Sequence, residues 1–195
     1  MSRIVCKFGG SSLADANQFR RVRAIVESDA RRSIVVPSAP GKRSSTDAKL
    51  TDLLYLCQHS ATLGSDFSGP FTQVRERFLE IERDLGLSGG MAAHLDALEV
   101  ALREGVTKDF VASRGEYLNG LLMAAYLGAE FVDPEHFIII QPNGSVDPQT
   151  YPLLGERLSD TSKRYVVPGF YGRDAKGRVR TFSRGGSDIS GAIVA

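Results

Sequence analysis

Short apolar runs alternate along this chain with longer segments in which apolar residues recur at every third or fourth position. A short apolar run bounded by glycine or proline is typical of a buried strand, and the longer spacing is typical of an amphipathic helix. The predicted strands are residues 4–8, 33–37, 130–133, 137–141, 164–170 and 179–182, with a turn at 172–177; the predicted helices lie within residues 12–26, 46–59, 70–127, 151–162 and 189–195. This alternation predicts an α/β fold, a three-layer α/β/α sandwich with a mainly parallel sheet and helices on both faces.

The long helical segment at residues 70–127 is predicted to contain several helices. Gly86, Gly89 and Gly90 divide it near its middle. Further on, Ser113 and Glu116 have the Ser-x-x-Glu spacing of a capping box, which favours the start of another helix at that point. The alternative is that the Glu116 carboxylate binds a ligand, and the two roles are compatible only if the side chain can be reached.

The balance of charges excludes several classes of partner. The 195 residues include 24 lysines and arginines against 23 aspartates and glutamates, a formal net charge of +1. No overall field therefore favours nucleic acid or an anionic membrane. No apolar run approaches the roughly 20 residues that span a bilayer, residues 1–8 lack the features of a signal peptide, and the three histidines lack the spacing of a metal cluster. We therefore expect a cytoplasmic protein with no membrane or nucleic-acid partner and no metal site made by side chains alone.

A glycine pair joins the first predicted strand to the first predicted helix, in the sequence Lys-Phe-Gly-Gly-Ser-Ser at residues 7–12. The backbone N–H groups of Gly9, Gly10 and Ser11, together with the positive end of the helix, are placed to face a phosphate, with Lys7 beside them. The alternative is a tight turn that needs residues without a Cβ atom. Neither of the two common nucleotide-binding glycine motifs is present at this junction.

A second glycine pair lies in the sequence Arg-Gly-Gly-Ser-Asp at residues 184–188, between a predicted strand and the last predicted helix. The Arg184 guanidinium offers a planar fork for a carboxylate, and Asp188 is suited to orient a lysine or a metal ion. The helix start near Gly186 and Ser187 offers N–H donors to an anion. The alternative is that Ser187 or Asp188 only caps the helix.

The second predicted strand ends at a Ser-Ala-Pro-Gly loop, residues 38–41, and Thr51 and Asp52 follow on the next helix. Open α/β sheets place their ligands beyond the carboxyl ends of the strands, which makes Ser38 and Thr51 candidates for a substrate pocket. An ordinary Pro-Gly loop is the alternative.

Four sequence blocks occur in the order found in the amino-acid kinase family, and together they resemble its aspartokinase group. The blocks are residues 7–12; residues 38–42 with 50–54; residues 113–116, Ser-Arg-Gly-Glu; and residues 169–170 with 183–188. A glycine-rich strand end fits any kinase of this superfamily, whereas the third and fourth blocks are more specific to aspartokinases. The resemblance spans nearly the whole chain and implies the α/β/α sandwich of that family.

The resemblance implies two groups of site residues. Around the transferred phosphoryl group, Lys7 contacts the phosphate and Asp188 organises the cationic groups. Around the substrate, Glu116 faces the α-ammonium group and Arg184 grips the α-carboxylate. The remaining implied contacts are Gly9, Gly10, Ser11, Gly186 and Ser187 for the phosphates of ATP, and Ser38, Thr51 and Phe170 for aspartate.

The implied reaction is the ATP- and Mg²⁺-dependent phosphorylation of the β-carboxylate of L-aspartate, the first step towards lysine, threonine and methionine. Residues 1–195 are expected to form the N-terminal substrate-binding lobe, ending before the rest of the nucleotide site and without regulatory ACT domains. A homo-oligomer is expected, with aspartate and ATP as its small-molecule partners. Two alternatives stay open: an inactive amino-acid-binding or dimerising domain, and a sister kinase that phosphorylates another carboxylate.

Overall fold

The computed structural model describes residues 3–183 and 185–195 and shows strands and helices alternating along the chain. The strands are β1 (Ile4–Phe8), β2 (Arg32–Pro37), β3 (Glu130–Phe131), β4 (Tyr165–Val166), β5 (Tyr171–Arg173) and β6 (Val179–Thr181). The helices are α1 (Ala16–Glu27), α2 (Leu50–Thr62), α3 (Ser68–Asp84), α4 (Met91–Glu104), α5 (Lys108–Leu127), α6 (Thr150–Arg157) and α7 (Gly186–Val194). Short 3₁₀ turns occupy Gly10–Leu13 and Pro134–His136.

Four strands form a parallel sheet in the order β1-β2-β4-β3, and β5 and β6 form a separate antiparallel hairpin. Because the four strands run in the same direction, their carboxyl ends meet at one edge of the sheet. The chain after β4 keeps to this edge, since the Gly169 N–H donates to the carbonyl of Pro37 at 3.0 Å. The segments that follow β1, β2 and β4 are therefore neighbours in space.

Alternate residues of the strands enter two different cores, which gives the molecule three layers. Val35 and Val166 pack with the larger core, made mostly by α1 to α5. Ile34 and Tyr165 face the opposite side and pack with a smaller core that includes residues of α6, with side chains of α7 against it. The structure thus confirms the predicted α/β fold with helices on both faces of a mainly parallel sheet.

The predicted strand at residues 137–141 is wrong. Only isolated bridges form there, from Ile139 to Arg173 and from Ile140 to Val146. The Ile139 N–H donates instead to the hydroxyl of Thr150 at 2.9 Å. The apolar run is buried in the smaller core without joining the sheet, because burial alone produces an apolar run and does not require strand pairing.

Other predicted boundaries also need correction. The strand predicted at residues 164–170 is confined to Tyr165–Val166, and the helix predicted at residues 151–162 ends at Arg157. The turn predicted at residues 172–177 is shorter, because Tyr171–Arg173 is a strand paired with β6. The helix predicted from residue 46 begins at Leu50, after a loop in which Lys49 is the N-cap residue.

The capping box predicted at Ser113 and Glu116 is wrong, because both residues lie inside α5. The helix begins at Lys108, where the Thr107 hydroxyl caps it by accepting from the Phe110 N–H at 3.2 Å. The Ser113 hydroxyl instead donates to the Phe110 carbonyl at 2.7 Å. With 20 residues α5 is the longest of the described helices, and none of them is apolar over enough length to cross a membrane.

Candidate functional site

A cleft of about 480 Å³ opens at the carboxyl ends of β1 and β2. Its walls come from four parts of the chain that are distant in sequence: the end of β1, the loop after β2 with the start of α2, the middle of α5, and the segment from Phe170 to the start of α7. The lining residues that the sequence predicted as site residues are Lys7, Gly10, Ser38, Thr51, Glu116, Phe170, Gly186, Ser187 and Asp188. The structure therefore brings together nine of the predicted residues around one space.

The first glycine turn is held against the loop after β2 by direct backbone contact. The Gly41 N–H donates to the carbonyl of Gly10 at 2.8 Å. A Cβ atom added to Gly41 would lie 2.5 Å from the carbonyl carbon of Gly10, so this approach requires glycine. Gly9 and Ser11 flank Gly10 without lining the cleft, although a Cβ atom on Gly9 would lie 3.8 Å from Lys7 Nζ.

An ion pair connects the two glycine-rich junctions across the cleft. Lys7 Nζ lies 2.7 Å from Asp188 Oδ1, and the Asp188 side chain is 72% exposed. The α7 N-cap is Gly185, and no side chain caps this helix. The alternative that Ser187 or Asp188 serves only as a cap is therefore wrong, and Asp188 faces the cleft with its charge accessible.

Phe170 holds an unfavourable backbone conformation at the edge of the cleft. Its φ is 81°, and it is the one non-glycine residue in the described part of the chain with a positive φ. Two hydrogen bonds hold it there: its N–H donates to the Ser190 hydroxyl at 3.0 Å, and its carbonyl accepts from the Phe182 N–H at 2.9 Å. Conformations of this kind cost on the order of 1–3 kcal/mol and occur preferentially at functional sites.

Close packing fixes the start of α7 against the segment after β4. A Cβ atom on Gly169 would lie 2.6 Å from the Cβ of Ser187, and one on Gly186 would lie 2.6 Å from the Phe170 ring. Glycine is therefore required on both sides of this contact. The helix end that carries Asp188 is held in place by backbone that approaches too closely for any other residue.

The carboxyl group of Glu116 is buried in the wall of the cleft without a full set of partners. Glu116 is 6% exposed, and its Oε2 atom has no hydrogen-bond partner within residues 3–183 and 185–195. Burial raises the pKa of Glu116 to about 7, while the backbone at Ala39 and the charge of Lys49 act in the opposite direction. A buried acceptor without a donor is costly, so a cationic ligand in the cleft would relieve that cost.

Two more buried polar side chains belong to the elements that form this wall, and of the two only Thr51 lines the cleft. The Thr51 hydroxyl oxygen lacks a hydrogen-bond partner among the described residues. The Asn119 side-chain amide donates to the Ser38 carbonyl at 2.7 Å, which ties the loop after β2 to α5. Thr51 and Glu116 therefore offer hydrogen-bonding capacity to a small polar molecule, whereas the Asn119 amide is engaged by the loop.

Four polar residues of the cleft were not predicted as site residues from the sequence: Lys49, Asp52, Tyr55 and Ser183. Tyr55 lies one helical turn beyond Thr51, so extending the helical spacing from Thr51 would have found it. Lys49 precedes the helix, and no periodic signal marks it. Its ammonium group supplies a positive charge that acts on Glu116.

Arg184, which the resemblance assigned to the substrate α-carboxylate, lies outside the residues that the structure describes. Its assignment therefore stays a prediction.

A polar cleft at the carboxyl ends of a parallel sheet is where open α/β proteins bind small molecules. The model of the amino acid kinase family matches residues 2–195, and the chain belongs to this family. It is similar to aspartokinase 3 of Bacillus subtilis, with 38% identity over an alignment of 206 positions. The alignment covers 98% of this chain and 45% of the relative.

Solved aspartokinase structures have the same fold. The structure of Clostridium acetobutylicum aspartate kinase has a TM-score of 0.96 and 44% identity, covering 100% of this chain and 45% of that one. Escherichia coli aspartokinase III, solved in complex with aspartate and ADP, has a TM-score of 0.82 and 26% identity, covering 100% of this chain and 46% of that one. The chain thus spans less than half the length of the relatives it matches.

Proposed function

We propose that this chain carries the amino-acid pocket and part of the phosphate site of an aspartate kinase, which transfers the γ-phosphoryl group of ATP to the β-carboxylate of L-aspartate. One observation carries the proposal: a buried, incompletely paired carboxyl group, Glu116, lines the same cleft as the Lys7–Asp188 ion pair. The similarity to aspartokinases, one of them solved with aspartate and ADP, supports this choice of substrates.

Recognition of aspartate follows from the polar groups of the pocket. The α-ammonium group would donate to the Glu116 carboxylate, which then gains the partner it lacks. Thr51 and Ser38 would contact the rest of the amino acid, and Phe170 would close the pocket beside them. With the ammonium end held in the buried wall, the side-chain carboxylate is directed towards Lys7 and the glycine turn.

The chemical step needs charge neutralisation and no proton transfer. The attacking carboxylate is already ionised at neutral pH, because an unperturbed aspartate side chain has a pKa of about 3.9. Its oxygen forms the new bond to the γ-phosphorus in line, the bond to the β–γ bridging oxygen breaks, and ADP leaves with that electron pair. Lys7 and the N–H groups near Gly10 and Ser187 stabilise negative charge on the phosphoryl oxygens.

A magnesium ion bound to ATP fits the residues present. Within the described part of the chain, no group of three or more His, Cys, Asp or Glu side chains is placed to hold a metal ion. Magnesium is commonly bound by substrate phosphates and only one or two carboxylates. Asp188 is an exposed carboxylate paired with Lys7, beside the glycine turn at residues 9–11, which is called the phosphate turn from here on. When bound, the ion would add positive charge at the transferring group.

The proposal is tested in the full-length protein by trapping the acyl phosphate with hydroxylamine, using a panel of L-aspartate, L-glutamate and N-acetyl-L-glutamate. We expect hydroxamate formation from aspartate with ATP and Mg²⁺, and at least about a hundredfold lower kcat/KM for the other two carboxylates. Lys7→Met should abolish most of the turnover. Preference for glutamate or acetylglutamate would show a sister kinase instead, and no turnover of any of the three would contradict the proposal.

A further inference from the structure

Arg77 of α3 is a charged side chain buried outside the cleft. It is 3% exposed, and it makes two contacts with the loop between β2 and α2. Its Nη1 donates to the Gly41 carbonyl at 3.0 Å, and its Nη2 lies 2.7 Å from Asp47 Oδ2. Burying an arginine is costly unless its guanidinium group is paired. The two contacts join the Arg77 guanidinium to the first and last residues of the loop segment 41–47.

Other charged groups reinforce the contact with Asp47. Arg43 binds the same carboxylate at 3.1 Å and also pairs with Glu80 of α3 at 2.6 Å. The Arg43 hydrogen bond is the main reason that the pKa of Asp47 is lowered to about 2. Burial, and then the nearby charge of Arg43, lower the pKa of Arg77. The Asp47 carboxylate therefore stays ionised at any physiological pH, and its ion pair with Arg77 holds the loop against α3.

The contact at Gly41 leads directly to the phosphate turn. Gly41 donates its N–H to the Gly10 carbonyl at 2.8 Å. A Cβ atom on Gly41 would lie 2.5 Å from the Gly10 backbone, and one on Gly10 would lie 3.2 Å from the Gly41 backbone. Because the two backbones touch, a shift of Gly41 must move Gly10 as well. Arg77 thus acts on the phosphate turn through one intermediate residue.

A different residue holds the start of the same loop. The Asn119 amide of α5 donates to the carbonyl of Ser38, which lines the cleft together with Glu116. Asn119 therefore fixes the amino-acid end of the loop at Ser38, whereas Arg77 fixes the following segment, which contacts Gly10 through Gly41.

We propose that Arg77 is a positioning residue for the phosphate turn, acting through Gly41 on Gly10, and that Asn119 separately positions the amino-acid end of the same loop. The inference rests on the proposed function, because it assigns the two anchors to the nucleotide and to aspartate respectively. It predicts that the two substrates respond to different substitutions.

The test compares Arg77→Met, Arg77→Lys and Asn119→Ala in the full-length protein, with Arg75→Met as the matched control. Arg75 lies on the same helix and pairs with Asp96 and Glu99 away from the loop. We expect Arg77→Met to raise the KM for ATP about tenfold and to lower kcat, with the KM for aspartate within about twofold of wild type. Asn119→Ala should raise the KM for aspartate and leave the KM for ATP within about twofold of wild type. Arg75→Met should match wild type in both values.

Hydrogen exchange of the peptides that contain Gly10 and Gly41 supplies a readout independent of activity. The Gly41 amide should exchange faster in Arg77→Met, and Arg77→Lys, which keeps one donor group, should fall between that variant and wild type. If Arg77→Met does not fold, Arg77→Lys carries the same comparison. Unchanged exchange and an unchanged KM for ATP in a folded Arg77 variant, or equal rises in both KM values, would overturn the inference. A wild-type protein that does not phosphorylate aspartate would instead contradict the proposed function and leave the exchange test valid.

Discussion

Glu116 is a carboxyl group in a place that water hardly reaches, and the cost of keeping it there depends on pH. Its pKa is raised from 4.5 to about 7 by burial, which corresponds to roughly 3 kcal/mol between its two protonation states. Evolution commonly keeps such a group where a ligand needs it. The residue thus links the stability of the free protein to its ability to bind a cation.

The first prediction concerns this stability. The pKa of Glu116 is higher in the folded protein than in the unfolded chain. Its contribution to the free energy of unfolding is therefore fully present below pH 4.5 and is lost as the pH rises through about 7. Glu116→Gln removes the ionisation, so its free energy of unfolding relative to wild type should rise by up to about 3 kcal/mol between pH 5 and pH 8. Urea unfolding followed by circular dichroism measures this difference. Glu104→Gln, at the exposed end of α4, is the control, and an equal pH dependence in both variants would contradict the account.

The second prediction concerns aspartate binding. Only the ionised carboxylate of Glu116 attracts the α-ammonium group. Below pH 7 the Glu116 carboxyl group must therefore release its proton before aspartate binds. The Kd for aspartate should therefore rise by up to about tenfold per pH unit below 7, and this dependence should disappear in Glu116→Gln, which binds weakly at every pH. Isothermal titration calorimetry at pH 5.5 and 8 tests this expectation. A Kd that does not change over this range would remove Glu116 from the ammonium site.

The third prediction concerns Asp188, which pairs with Lys7 at 2.7 Å. Asp188→Asn keeps the size of the side chain and removes the charge that holds the lysine, so kcat should fall about ten- to a hundredfold. The KM for aspartate should change little, because the proposal places the α-ammonium group at Glu116 and Asp188 beside the phosphates. Asp96→Asn, which removes a carboxylate from an exposed ion pair on α4, is the control. Normal turnover in Asp188→Asn would contradict its assigned role.

Among the elements, α7 is held in position by close packing. Gly169 lies so near Ser187 that a Cβ atom would approach to 2.6 Å, and the contact sets the position of the helix that carries Asp188. Gly169→Ala should therefore lower the free energy of unfolding by about 1–3 kcal/mol and also reduce activity. Gly155→Ala is a matched control in α6, because nothing lies within 4 Å of its added Cβ. That change should be stabilising by about 0.5–1 kcal/mol, and thermal melts of both variants give the comparison. Equal stability of the two variants would contradict the packing argument.

The elements also show what periodicity can and cannot reveal. The runs at 4–8 and 33–37 became strands, because each is apolar, short and bounded by glycine or proline. The run at 137–141 is also apolar but forms only isolated bridges, because the Ile139 N–H donates to the Thr150 hydroxyl and only the Ile140 N–H donates to β5, at the carbonyl of Arg173. Ser113 and Glu116 have the spacing of a capping box, yet Thr107 caps the helix earlier. Local pattern identifies apolar and capping residues, but tertiary packing decides which of them act in those roles.

At the scale of the whole molecule, the parallel sheet brings distant segments to one edge. Lys7, Glu116 and Asp188 are far apart in sequence and line one cleft, as the resemblance to the amino-acid kinase family implied. Lys49 and the contacts of Arg77 with Gly41 and Asp47 could not be predicted, because they depend on how a loop without a periodic pattern folds against α3. The cytoplasmic location, the homo-oligomer and the assignment of residues 1–195 to one substrate-binding lobe remain predictions.

A crystal structure of the protein with L-aspartate and a non-hydrolysable ATP analogue would show how both substrates sit in the cleft. We expect the α-ammonium nitrogen to lie within hydrogen-bond distance of the Glu116 carboxylate and the β-carboxylate to point towards Lys7 and the phosphates at the Gly10 turn. Aspartate bound outside this cleft, or bound with its β-carboxylate on the Glu116 side, would contradict this expectation.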